Sequence, residues 1–157
     1  MDTKRRDLLK TGSGLSLLAL VAAAGWLKPE DAFAADWNKV AFDTKTVDET
    51  VKALGGNSAA QSKDISFVST PDIAENGAVV PIGVSSSIPK TESIAILVEK
   101  NPNTLAAAFD IPAGTEPAIT TRIKMGQTSN VVALVKADGK FYMTSKEIKV
   151  TLGGCGG

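Results

Sequence analysis

The apolar positions of this chain form one helical stripe followed by a series of alternating runs. In TVDETVKALGG, Val47, Val51 and Leu54 recur at i, i+4 and i+7 and predict one face of a helix. Thr46 suits an N-cap, Glu49 three residues on closes a capping box, and Gly55 stops the helix. Beyond it the period drops to two. DISFVST alternates Ile65 and Phe67 and ends at Pro71. GAVVPIGVSSS carries Val79, Val80, Ile82 and Val84, and Pro81 within it predicts an edge or bulge position. ESIAILVEK places Ile94, Ile96 and Val98 on one face and is punctuated by Asn101-Pro102.

TLAAAFDI follows, closed by Pro112 and Gly114, and then AITTRIKM with Ile119, Thr121, Ile123 and Met125 in register. SNVVALVKADGKFYMTSKEIKV reads as a hairpin turning at Asp138-Gly139. Seven short strands behind one helix predict an all-β, immunoglobulin-like β-sandwich over residues 35–152. The cysteine–tryptophan–cysteine core of antibody domains is missing, and Trp37, ahead of the helix, reads as a local anchor.

The first 34 residues have a different character. Arg5 and Arg6 lie in KRRDLLK, ahead of the apolar run GLSLLALVAAAGWL, and Ala32-Phe33-Ala34 supplies a small-x-small cleavage signal. The apolar run is shorter than the roughly 20 residues of a membrane span, so the segment predicts a cleaved export signal. The arginine pair marks the twin-arginine variety. Cleavage is expected between Ala34 and Ala35, with no membrane attachment afterwards. That route handles proteins that fold or assemble before export, and the chain shows no cofactor motif. A partner exported with it is therefore expected rather than a bound cofactor.

Composition narrows the chemistry. Residues 35–157 hold 12 Lys+Arg and 13 Asp+Glu, with no basic patch on which nucleic acid could bind. The chain has no histidine, which removes Ser–His–Asp and Cys–His sites and the commonest metal ligand. A single cysteine, Cys155, makes a poor metal site without histidine, and it has no intrachain disulfide partner. No metal or cofactor is expected, and no self-contained catalysis.

Cys155 stands in GGCGG, with Gly153 and Gly154 before it and Gly156 and Gly157 after it. A structural cysteine wants a packed apolar site; this one has no neighbouring side chains. Residues 153–157 are expected to form a mobile arm, three extended residues of which reach about 10 Å from Leu152. Nothing beside the thiol in sequence activates it, so at an ordinary pKa of about 8.5 it is mostly protonated at neutral pH. Activation has to come from a partner's active site.

The ending resembles the Y subunit of the periplasmic sulfur-oxidation (Sox) carrier complex. The resemblance rests on GGCGG preceded by IKVTL, and is supported by ENGAVVPI (Glu75 to Ile82), VEKNPNTLAAAF (Val98 to Phe109) and TRIKMGQTSNVVALVKADGK (Thr121 to Lys140). It implies a carrier rather than an enzyme, with Cys155 as the covalent sulfur attachment point and Gly153, Gly154, Gly156 and Gly157 as a swinging arm. It implies a Z subunit as heterodimer partner. Three enzymes acting on the cysteine are also implied: a haem-containing enzyme that conjugates thiosulfate, a hydrolase that releases sulfate, and a sulfur dehydrogenase. The continuous apolar run in ENGAVVPI makes Val79 and Ile82 candidates for the partner surface. The competing reading is an exported β-sandwich binding module whose cysteine forms an intermolecular disulfide.

Overall fold

A computed structural model describes residues 38–151. The export signal with Arg5 and Arg6, the Ala34–Ala35 cleavage site, Trp37, and the arm with Gly153, Gly154, Cys155, Gly156 and Gly157 lie outside the described residues.

Two short helices open the domain. Helix α1 (Lys39–Phe42) was not anticipated; the Asn38 side chain caps it by accepting from the Ala41 N–H. Helix α2 (Val47–Ala53) is the expected one. Thr46 Oγ1 accepts from the Glu49 N–H at 3.2 Å, and Glu49 reaches back to the Lys45 N–H at 2.9 Å. The capping box thus closes on the residue before the N-cap. The chain then turns at Gly55, whose φ is +91°.

Nine strands follow among the described residues. β1 (Ala59–Gln61), β9 (Lys140–Val150), β8 (Ser129–Ala137), β5 (Thr91–Val98) and β6 (Leu105–Asp110) lie side by side in one sheet, and β3 (Ile73–Ala74) adds to β9. β2 (Ile65–Val68), β4 (Val80–Ser86) and β7 (Ala118–Ile123) form the second sheet. The expected all-β sandwich is present, with two strands more than the alternation reveals.

Ile82 and Val84 of β4 meet Ile94, Ile96, Val98, Val131, Val135 and Ile148 between the sheets, all fully buried. Each such side chain stabilises the fold by about 1.5–3 kcal/mol. Ala95 and Leu97, on the other side of β5, are buried as well, together with Val132, Leu134, Ala41 and Val51. The helices cover that face of the larger sheet. β5 and β8 are therefore apolar on both faces, and only one of those faces shows as simple alternation.

The hairpin turns where Asp138-Gly139 places it. Ala137 pairs with Lys140 across a two-residue loop, with φ of 49° and 72° at Asp138 and Gly139. Both central residues of this turn need positive φ, which asparagine, aspartate and glycine tolerate best.

Pro81 occupies a local edge within a central strand. β4 is the middle strand of its sheet, paired with both β2 and β7. β2 pairs only with Gly83–Ser86, so Pro81 extends past its end and faces β7 alone. The missing N–H of proline leaves no ladder partner unpaired there.

Candidate functional site

The residues singled out for covalent chemistry all fall after Thr151, outside the described residues, but the mount from which they depart is described in full. β9 carries the chain from the Asp138-Gly139 turn to that mount in one strand of 11 residues. β8 pairs with it antiparallel from Lys140 to Ile148. On its other side run two parallel partners, β1 at Phe141–Met143 and β3 at Lys149–Val150.

The last three residues of the mount are each fixed by hydrogen bonds. The Lys149 N–H donates to the Asp72 carbonyl at 2.9 Å and the Thr151 N–H to the Ala74 carbonyl at 3.1 Å. Between them, the Val150 N–H donates to Thr128 Oγ1 at 2.9 Å. Ile148 is fully buried in the inter-sheet core and Val150 packs against it. The segment carrying β3 is held down by Lys146, whose Nζ donates to the Thr70 carbonyl at 2.7 Å and pairs with Asp72 Oδ1 at 2.9 Å.

Two loops complete the surround. In the ENGAVVPI segment, Asn76 accepts from the Ala78 N–H at 2.9 Å, and the buried Gly77 accepts from the Met125 N–H at 2.7 Å. A Cβ on Gly77 would sit 2.9 Å from Val150 Cγ1 and would collide with the Met125 carbonyl oxygen. Only glycine lets this backbone lie so close to the Met125 carbonyl and the Val150 side chain. In the second loop Asn101 donates to the Lys124 carbonyl at 2.7 Å and accepts from the Gly126 N–H at 3.2 Å. The structure thus brings ENGAVVPI to the base of the arm, which its sequence did not foretell.

The two candidate partner-surface residues separate. Ile82 is 0% exposed and belongs to the core, whereas Val79 is 50% exposed beside the mount. Ile73 of β3 is similarly open. The parallel pairing of β3 with β9 places Ile73 there, and a strand of two residues leaves no periodic signal in sequence.

No group of three or more potential metal ligands exists among the described residues. Nor is any helix among them long and apolar enough to cross a membrane. The Glu92 carboxyl is held below its ordinary value first by the Gly139 N–H and then by the Lys136 side chain. It stands by the hairpin turn, at the end of β9 away from the arm. What the mount offers is a fixed point of departure for the chain beyond Thr151.

The model of the family described as sulfur oxidation protein SoxY matches residues 50–155, from α2 through Cys155. The chain belongs to the SoxY family. It is similar to the solved structure of the sulfur carrier protein SoxY from Chlorobium limicola f thiosulfatophilum, with 36% identity and a TM-score of 0.57, covering 65% of this chain and 94% of that one. The superoxide reductases from Ignicoccus hospitalis (18% identity, TM-score 0.48, 55% of this chain and 79% of that one) and Archaeoglobus fulgidus (16%, 0.42, 76% and 98%) are more distant. Neither bears on function at that level. No curated protein matches the chain. As a SoxY-family member the protein is a sulfur-oxidation carrier rather than a catalyst, in keeping with its sequence.

Proposed function

We propose that the protein holds thiosulfate-derived sulfur covalently on Cys155 and presents it to a succession of enzymes in the periplasm. Supporting this is one observation above the others: the family match runs to Cys155, and the chain leading there is hydrogen-bonded at Lys149 and Val150, the end of β9, and at Thr151 after it. A rigid domain followed by GGCGG separates the handle from the moving part.

In the first step the Cys155 thiol loses its proton and joins the outer sulfur of thiosulfate, forming an S-thiosulfonate. Two electrons leave, taken by the haem-containing partner. Water then removes the sulfonate as sulfate under a hydrolase, leaving a persulfide that a sulfur dehydrogenase oxidises further. The domain pairs with a Z subunit. Residues 1–34, with Arg5 and Arg6, direct twin-arginine export and are removed between Ala34 and Ala35. Residues 35–152 form the handle and 153–157 the arm.

The test is an intact mass of the mature protein from cells oxidising thiosulfate, before and after a thiol reductant. A reductant-labile gain of thiosulfate or sulfane sulfur mapped to Cys155 is expected. A bare thiol, or a disulfide dimer alone, would overturn the carrier reading in favour of the binding module.

A further inference from the structure

Asparagine followed by glycine is a chemically unstable pair, because the glycine nitrogen has no side chain beside it to block its approach to the asparagine amide carbon. The chain has one such pair, Asn76-Gly77, in the loop that meets the end of β9. Asn76 is exposed, so water and hydroxide reach its side chain.

The fold arms this pair and disarms others. Asn76 Oδ1 accepts from the Ala78 N–H at 2.9 Å. The ring closed by that bond contains both the amide carbon Cγ and the Gly77 nitrogen, so both reacting atoms belong to one turn. The donor also faces the oxygen on which negative charge builds when Cγ is attacked. The Gly77 N–H itself donates no hydrogen bond among the described residues, so losing its proton breaks no contact.

Elsewhere the attacking nitrogen is missing or engaged. Pro102, after Asn101, has no N–H. Thr104, after Asn103, donates to the Thr44 carbonyl at 2.9 Å. In the comparable pair Asp138-Gly139, the Gly139 N–H donates to Glu92 Oε1 at 2.9 Å and the Asp138 carboxylate pairs with Lys90.

We propose that Asn76-Gly77 is a self-modification site of the folded protein, with isoaspartate at position 76 as its main product. The Gly77 nitrogen gives its proton to solvent base and attacks Cγ. The Cγ–Nδ2 bond breaks, ammonia leaves, and a succinimide ring closes. Water then opens the ring: addition at Cγ leaves aspartate, and addition at the main-chain carbonyl leaves isoaspartate, whose backbone runs through Cβ and Cγ. Nothing is oxidised or reduced, and water is the sole co-reactant.

The isoaspartate backbone is one atom longer, and the extra atom falls where there is no slack. Gly77 accepts from the Met125 N–H at 2.7 Å, and its Cα lies against the Met125 carbonyl and Val150. Lengthening the chain just ahead of Gly77 displaces it from both, so ageing loosens one side of the end of β9. None of this depends on Cys155.

The test is to incubate the purified protein in mildly alkaline buffer and map its peptides by mass spectrometry, with electron-transfer fragmentation to tell isoaspartate from aspartate. Asn76 is expected to lose its amide about tenfold faster than Asn57, Asn103 or Asn130, a barrier lower by about 1.4 kcal/mol. Isoaspartate is expected to predominate, with Asp138 unchanged. The free peptide ENGAVVPI sets the rate without the fold. In hydrogen exchange, the Met125 amide of aged protein is expected to exchange faster than that of fresh protein. In N76Q, whose longer side chain closes the ring poorly, ageing is expected to leave that amide as it was.

Asn76 as slow as the other asparagines, a rate more than about tenfold below the free peptide, or aspartate as the sole product would each overturn the site. Unchanged Met125 exchange in protein converted to isoaspartate, or the same change in aged N76Q, would overturn the loosening of β9.

Discussion

Gly77 and Met125 meet backbone to backbone beside the root of the arm: the Met125 N–H donates to the Gly77 carbonyl at 2.7 Å, while the carbonyl of Met125 fills the space a Cβ on residue 77 would need. Gly77→Ala cannot be absorbed by rotating a flexible side chain, because the obstacle is backbone. A loss of about 1–3 kcal/mol is expected, typical of overpacking. Urea unfolding measures it, and Gly126→Ala, whose Cβ would meet nothing within 4 Å, is the control that should unfold near the wild-type midpoint.

Replacing Cys155 by serine removes the nucleophile and nothing in the described core. Loading with thiosulfate is expected to vanish while thermal unfolding stays unchanged, as followed by mass and by circular dichroism. Normal loading of C155S would refute the assignment of the attachment point.

Val79 and Ile82 should respond to the same substitution in opposite ways. Ile82→Asp places a charge in the inter-sheet core and is expected to cost more than about 4 kcal/mol, enough to unfold a domain of this size. Val79→Asp should melt normally, since that side chain is half exposed. Co-purification of V79D with the Z subunit then reports on the surface beside the mount. Unimpaired pairing would remove Val79 from that contact.

Glu92 gives the acid side of the stability curve a small, assignable component. Its carboxylate is held below its ordinary value by the Gly139 N–H first and Lys136 second. A depressed folded pKa means that the contribution is complete above the unfolded value and fades as pH falls through the folded one. Glu92→Gln should therefore lower Tm slightly at neutral pH and match the wild type in strong acid. Because the group lies open to solvent, added salt should shrink the difference.

Thr104 offers a test in the stabilising direction. Its side chain is fully buried, and its Oγ1 is the one buried side-chain oxygen or nitrogen without a hydrogen-bond partner among the described residues. The backbone N–H still donates to the Thr44 carbonyl at 2.9 Å. Thr104→Val keeps the shape and removes the unsatisfied hydroxyl, so stability should be equal or higher, by up to about 1–3 kcal/mol. A lower Tm would show that the hydroxyl has a partner in solution.

Features written in short-range patterns were readable from the sequence. The Thr46–Glu49 cap and the Asp138-Gly139 turn are settled by residues within four positions of one another, and both stand where expected. β1 and β3 were missed because strands of three and two residues carry no period, and their parallel partner β9 lies about 80 residues away in sequence. Pro81 marked a local edge but not that β4 is the central strand, because that depends on where β2 stops. The thiol and its glycines were singled out from their placement in GGCGG, and they lie outside the described residues.

The parallel pairing of β3 with the end of β9 has a mechanical side. If, as proposed, an enzyme draws the C-terminal segment into its active site, the last bonded residues of β9 are pulled along the strand, and strands bonded side by side resist such a pull in shear. All their hydrogen bonds would have to fail together instead of parting one at a time from the tip. With β8 on one flank and β1 and β3 on the other, tension at the arm spreads across the larger sheet, so the domain can be towed by its tail without unravelling from it.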